Sequence, residues 1–162
     1  MTSDVRYIIR QAVIAALYVV LTFIVSPVAY GPIQFRISEI LVLLSFYRRD
    51  YILGLVLGCL IVNFFSPMFL ADVIFGTLAT ALSVFLISRS KNLFLASLYP
   101  VIINGVIIGA ELYFVLKEPL LLSMSYVALG EFLAVSVLGV LTFRILSKSK
   151  AFLELIEANQ NV

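Results

Sequence analysis

The sequence predicts an all-α integral membrane protein: a bundle of six transmembrane helices with both termini in the cytoplasm. Three observations carry that reading. The 162-residue chain is 63% hydrophobic and 12% charged, with a mean hydropathy of +1.16. A soluble domain of this size has no use for so much apolar surface. Apolar stretches at about 8–25, 37–47, 51–65, 69–87, 93–116 and 120–146 are separated by short polar turns. The basic residues divide unevenly between alternate turns. Arg6, Arg10, Arg48, Arg49, Arg89, Lys91, Arg144, Lys148 and Lys150 fall on the side of the termini, and Arg36 and Lys117 on the other. The positive-inside rule puts the richer side in the cytoplasm. One helix more or fewer would scramble the split. Residues 1–162 therefore read as a single transmembrane domain, with a short cytoplasmic tail at 147–162 expected to fray as an amphipathic helix.

A spanning helix needs about 20 apolar residues to cross about 30 Å of hydrocarbon. The first candidate starts at Tyr7 or Ile8, after Asp4 and Arg6, and ends at Val25. It is too long for a signal-peptide core and lacks a small-x-small cleavage site, so it is expected to be retained. Ser26, Pro27, Gly31 and Pro32 mark the following loop. Arg48, Arg49 and Asp50 separate the second and third stretches, and Ser66-Pro67 ends the third. Arg89, Lys91 and Asn92 follow the fourth; the fifth contains Pro100, an expected kink. Lys117, Glu118 and Pro119 turn the chain into the sixth. No inverted repeat of the transporter kind is visible.

Glu39, Asp72, Glu111 and Glu131 lie inside these apolar stretches. A carboxylate at membrane depth costs roughly 2.5–3.5 kcal/mol on insertion scales. Four of them imply a polar cavity among helices. All four fall in the outer half or near the midplane. From Arg36 to Arg48 a helix would advance only about 18 Å, so Arg36 and Glu39 should sit below the outer surface. The third stretch is also short, which recesses Asn63. Gln34 to Glu39 would line the resulting dent.

Arg36 and Glu39 are three apart and share a helix face. They suit either an internal ion pair that pins the preceding loop or a ligand contact, with Gln34 and Ser38 close by. Asp72, Gly76, Thr80 and Ser83 form a polar stripe, and Pro100, Asn104 and Glu111 fall on one face. The acids outnumber Arg36, so the cavity suits a donor-rich or cationic ligand. The alternative is that one or two acids stay protonated through burial. Tyr30, Phe35, Phe64, Phe65, Tyr113 and Tyr126 lie near the outer side, as an interfacial belt or as a platform for a flat ring. Small pairs at Ala12/Ala16, Gly54/Gly58 and Gly105/Gly109 permit close helix approach. Ala12/Ala16 falls at the cytoplasmic end, where a partner could dock.

Several classes are disfavoured. No phosphate-binding loop or dinucleotide fingerprint is present, so the chain is not expected to use ATP by itself. Histidine is absent and Cys59 is the single cysteine, which removes the usual metal and nucleophile chemistry. An enzyme is disfavoured on those grounds, and no cofactor, metal or nucleic acid is expected.

The run Ala29-Tyr30-Gly31-Pro32-Ile33-Gln34-Phe35-Arg36-Ile37-Ser38-Glu39 resembles the hallmark of the QueT family of queuosine-precursor transporters. So do Leu57 to Ser66 and Asp72 to Thr80. The resemblance implies a substrate-binding subunit, or S-component, of a bacterial energy-coupling-factor importer in the cell membrane. Such a subunit would capture a 7-deazaguanine such as preQ1, preQ0 or queuine. It would dock on a membrane coupling subunit attached to two ATPase subunits, and topple to release its load. It also implies docking through Ala12 and Ala16 and a lid at about 26–35. The substrate-binding candidates are then Gln34, Arg36, Glu39, Asn63, Asp72, Asn104, Glu111 and Glu131. Glu39 or Asp72 would take the ring edge, Asn63 and Gln34 its carbonyl, and Glu111 or Glu131 the substituent. The rival readings are an S-component for another vitamin and a membrane assembly subunit that binds nothing.

Overall fold

A computed structural model of the chain describes residues 3–29 and 34–160. Tyr30, Gly31 and Pro32, and with them the middle of the expected lid, lie outside the described residues, as does the end of the tail. Among the described residues the helices are, in order, α1 Ser3–Ile24, α2 Ser26–Ala29, α3 Ile37–Tyr47, α4 Ile52–Asn63, entered through a 3-10 turn at Arg49–Tyr51, α5 Asp72–Ile87, α6 Leu93–Leu116, α7 Leu120–Leu146 and α8 Lys150–Leu155. No strand occurs among the described residues. α1, α6 and α7 are long and apolar enough to cross a membrane, whereas α3 and α5 are shorter apolar helices.

Local chemistry explains the boundaries. α1 begins at Ser3, ahead of the expected start, because Asp4 in its first turn complements the positive end of the helix dipole. α6 starts where the Asn92 side chain accepts hydrogen bonds from the amides of Phe94 (2.9 Å) and Leu95 (3.1 Å). It runs through Pro100 and closes at Lys117, whose φ of 61° is the left-handed geometry that terminates helices. The first seven residues of α3, Ile37–Leu43, form a 3-10 helix. That geometry rises about 2 Å per residue, so α3 covers about 20 Å, slightly more than an α-helix would. It remains short of the hydrocarbon thickness. α5 begins as a π-helix over Asp72–Gly76, and α7 is π-helical over Phe132–Gly139.

Two of the three small pairs are contact points. A Cβ on Gly58 would fall 2.7 Å from the Tyr18 Cβ, and Gly54 donates its amide to Gln11 Oε1 at 2.7 Å, so α4 lies tight on α1. A Cβ on Gly109 would fall 2.6 Å from the Met124 Cα, which joins α6 to α7. Ala12 and Ala16 do neither; both are exposed on the outer side of α1.

One end of the bundle is tied by charge. Arg10 meets Glu157 at 2.5 Å, and Arg48 meets Glu157 at 3.0 Å and Asp50 at 2.7 Å. Arg49 donates to the Ser88 carbonyl at 3.3 Å. The tail does not fray. Tyr51 donates to the Ile156 carbonyl (2.9 Å), the amides of Asn159 and Gln160 reach the Tyr47 carbonyl, and Ile156 is buried. Burial of Ile156 and Phe152 against the core, together with these ties, offsets the entropy of ordering the segment. Large aliphatic side chains such as Ile24, Ile102 and Leu141 project outward. The acids do not: Glu39 is 2% exposed, Asp72 2%, Glu111 4% and Glu131 5%.

The glycine contacts are testable by melting the protein in detergent. Gly109→Ala meets backbone that cannot yield and is expected to destabilise by about 1–3 kcal/mol. Gly105→Ala meets the Ala128 Cβ at 3.1 Å and should be the milder change.

Candidate functional site

The site is built where short elements meet long ones. The 3-10 turns of α3 present Ser38 and Glu39 inward, both buried. Glu39 accepts a hydrogen bond from the Tyr18 hydroxyl of α1, while its Oε2 has no partner. Thr22, one turn after Tyr18, donates to Ser38 Oγ at 2.7 Å and fixes the same junction. Across the bundle, Asn104 of α6 donates to Glu131 Oε1 of α7 at 2.6 Å, leaving Glu131 Oε2 unpaired.

Arg36 ties several elements together. Its Nε donates to the Ala29 carbonyl and its Nη1 to Asn63 Oδ1, each at 3.3 Å. The Asn63 amide nitrogen then reaches the Asp72 carbonyl (2.9 Å) and Thr77 Oγ1 (3.2 Å). One guanidinium thus links the end of α2, α3, α4 and α5. Arg36 and Glu39 feel one another electrostatically across the site, while Tyr18 takes one of the two carboxyl oxygens of Glu39. Asp72 accepts from the Ser66 hydroxyl and keeps Oδ1 free. Glu111 is buried with neither carboxyl oxygen paired, and feels Asp72 and Arg36 electrostatically.

Gln34, Arg36, Glu39, Asn104 and Glu131 line one small cavity, together with Gly76, Thr80 and Ile108. Its volume is about 10 Å³, room for about one water molecule. Asn63 and Asp72 join this group through hydrogen bonds, and Glu111 stands apart from the lining. Gln34 enters the cavity with φ of 50°, a strained value for a side chain of this type. Both π-helical segments border the site, Gly76 ending one and Glu131 preceding the other. Irregular turns of this kind are frequent at functional positions.

Sequence reasoning missed Tyr18. The signal was present: Gln11, Tyr18 and Thr22 repeat at helical spacing through the apolar stretch of α1, and all three are buried. Gly76 and Thr80 belonged to the polar stripe of α5 and do reach the cavity. Phe64, Phe65, Tyr113 and Tyr126 are exposed, which fits an interfacial belt, whereas Phe35 turns inward against the core.

Loss of the Tyr18 hydroxyl leaves both oxygens of buried Glu39 without a protein donor. Tyr18→Phe is expected to cost about 1–3 kcal/mol of stability. Tyr113→Phe, on the exposed face, should stay within about 0.5 kcal/mol of the parent. Thermal unfolding in detergent distinguishes the two.

The model of a family described as QueT transporter matches residues 8–148. The "Queuosine precursor transporter QueT" of Lactococcus lactis subsp. cremoris (strain MG1363) is 39% identical, over 77% of this chain and 83% of that protein. No solved structure matches significantly. Family and relative are transporters rather than enzymes, in keeping with the apolar helices that mark this chain as a membrane protein. By both matches, which extend over most of its length, the chain belongs to the QueT transporter family.

Proposed function

We propose that this chain is the substrate-binding membrane subunit of a bacterial energy-coupling-factor importer, and that it captures a 7-deazaguanine precursor of queuosine. The observation that carries the reading is the convergence of Gln34, Arg36, Glu39, Asn104 and Glu131 on one hollow in a chain of this family. Glu39 and Glu131 each retain an oxygen without a donor. A purine-like ring offers N–H donors along one edge, and a carboxylate accepts them well. Arg36 and the Gln34 amide supply donors for the ring carbonyl. Asn63 and Asp72 brace Arg36 and the start of α5, and Glu111 or Glu131 meets the substituent.

The hollow must widen to admit a ring. The π-helical turns on α5 and α7 are the places where the lining can shift, and the 26–35 segment is the lid. Energy comes from two ATPase subunits through a coupling subunit, which meets the exposed Ala12/Ala16 face of α1. The chain then crosses the bacterial cell membrane six times with both termini cytoplasmic. The gathering of Arg10, Arg48 and Arg49 at the end that also carries the tail supports that orientation.

Extraction of purified protein, followed by mass identification of the retained molecule, tests the substrate; a different vitamin in the extract would refute it. Glu39→Gln and Glu131→Gln are expected to weaken binding by about 2–5 kcal/mol, read by calorimetry on protein that still folds. Uptake of labelled deazaguanine should require the ATPase module. Uptake that persists without it would identify a stand-alone carrier.

A further inference from the structure

We propose that a groove between α1, α3, α7 and the tail is a binding site for one anionic phospholipid, whose acyl chain lies in the groove and whose phosphate meets Arg6. The groove has a volume of about 610 Å³. Its floor is the buried face of Ile14, Leu44, Phe143 and Ile156; Val13 and Leu17 form an exposed rim. Every charged residue that lines it, Arg6, Arg10 and Glu157, belongs to one end. Arg10 and Glu157 satisfy one another at 2.5 Å. Arg6 is exposed and enters no ion pair among the described residues. The mouth therefore carries one uncommitted positive charge above an aliphatic trough.

Depth matches as well. From Arg6 to Leu17 the helix advances about 16 Å, roughly half of the 30 Å hydrocarbon layer and so one leaflet. Beyond the mouth lies a second pocket of about 460 Å³, which shares Arg6 and adds Asp4, Arg48 and Asp50. Arg48 holds Asp50 and Glu157 there, which leaves space for a headgroup beside Arg6. The folded-back tail makes the site, because Phe152 and Ile156 supply one wall. The lining of the groove itself, two arginines against one glutamate, carries a net positive charge that favours an anionic headgroup. The proposal needs only that the chain resides in a membrane, and it stands independently of the substrate.

The test is titration of delipidated full-length protein with palmitoyl-oleoyl phosphatidylglycerol or phosphatidylcholine, read by native mass spectrometry. Phosphatidylglycerol is expected to bind about fivefold tighter, the effect of one cation at the surface. Arg6→Ala should abolish that preference and Arg6→Lys keep it. Val13→Trp, on the exposed rim, should reduce retention of both lipids. Lys91→Ala removes a cation outside the groove and should change nothing. Equal retention of the two lipids by the parent, or a preference untouched by Arg6→Ala, would overturn the proposal. So would loss of coupling-subunit binding in Val13→Trp with lipid retention unchanged, since the occupant would then be a protein helix.

Discussion

An acid cannot face lipid, and that constraint organises this bundle. Each buried carboxylate except Glu111 takes a hydrogen bond from an uncharged side chain: Tyr18 to Glu39, Ser66 to Asp72, and Asn104 to Glu131. Two of these ties cross between helices, so the polar groups fasten α1 to α3 and α6 to α7. Apolar surfaces supply no such preference within a bilayer, because lipid tails are as apolar as leucine. The ties are also incomplete. One oxygen of Glu39, Asp72 and Glu131 is left over, along with both of Glu111. Residues that hold the helices in register thereby keep acceptor capacity in reserve.

Close approach of the backbones sets where those donors stand. Tyr18 lies on Gly58, and any side chain there would push the phenol away from Glu39. Gly105 follows directly after Asn104 and rests on Ala128, one turn before Glu131. The small residues of α4 and α6 are thus part of the site without touching the cavity. Arg36 works differently. It is a bridge, joining four successive elements through Ala29 and through Asn63.

The all-helical class and the long apolar helices α1, α6 and α7 were legible in the sequence because apolar length and charged turns are one-dimensional signals. The limits of α6 and α7 follow from Asn92, Lys117 and Pro119, whose cap and turn chemistry is local. The burial of all four acids also followed, from desolvation cost alone. What stayed hidden depends on partners remote in the chain. Nothing beside Glu39 announces that Tyr18, 21 positions away, will hold it. The fold-back of the tail rests on Tyr47 and Tyr51, which end and begin apolar stretches and carry no local sign that they anchor residues 156–160. The π-helical turns were invisible for a related reason: a widened turn is selected by what packs against it, and no residue type encodes it.

Those widened turns set the phase of two helices. A π turn absorbs an additional residue, and each residue of an α-helix swings its side chain by about 100°. Excision of a single residue from Phe132–Gly139 would let the hydrogen-bond ladder relax to ordinary α geometry. Everything after it, including buried Val140 and Phe143 and outward Leu141 and Ile145, would then rotate relative to Glu131. The carboxylate and the lipid-facing stripe of α7 are correctly aligned with each other only while the irregularity persists.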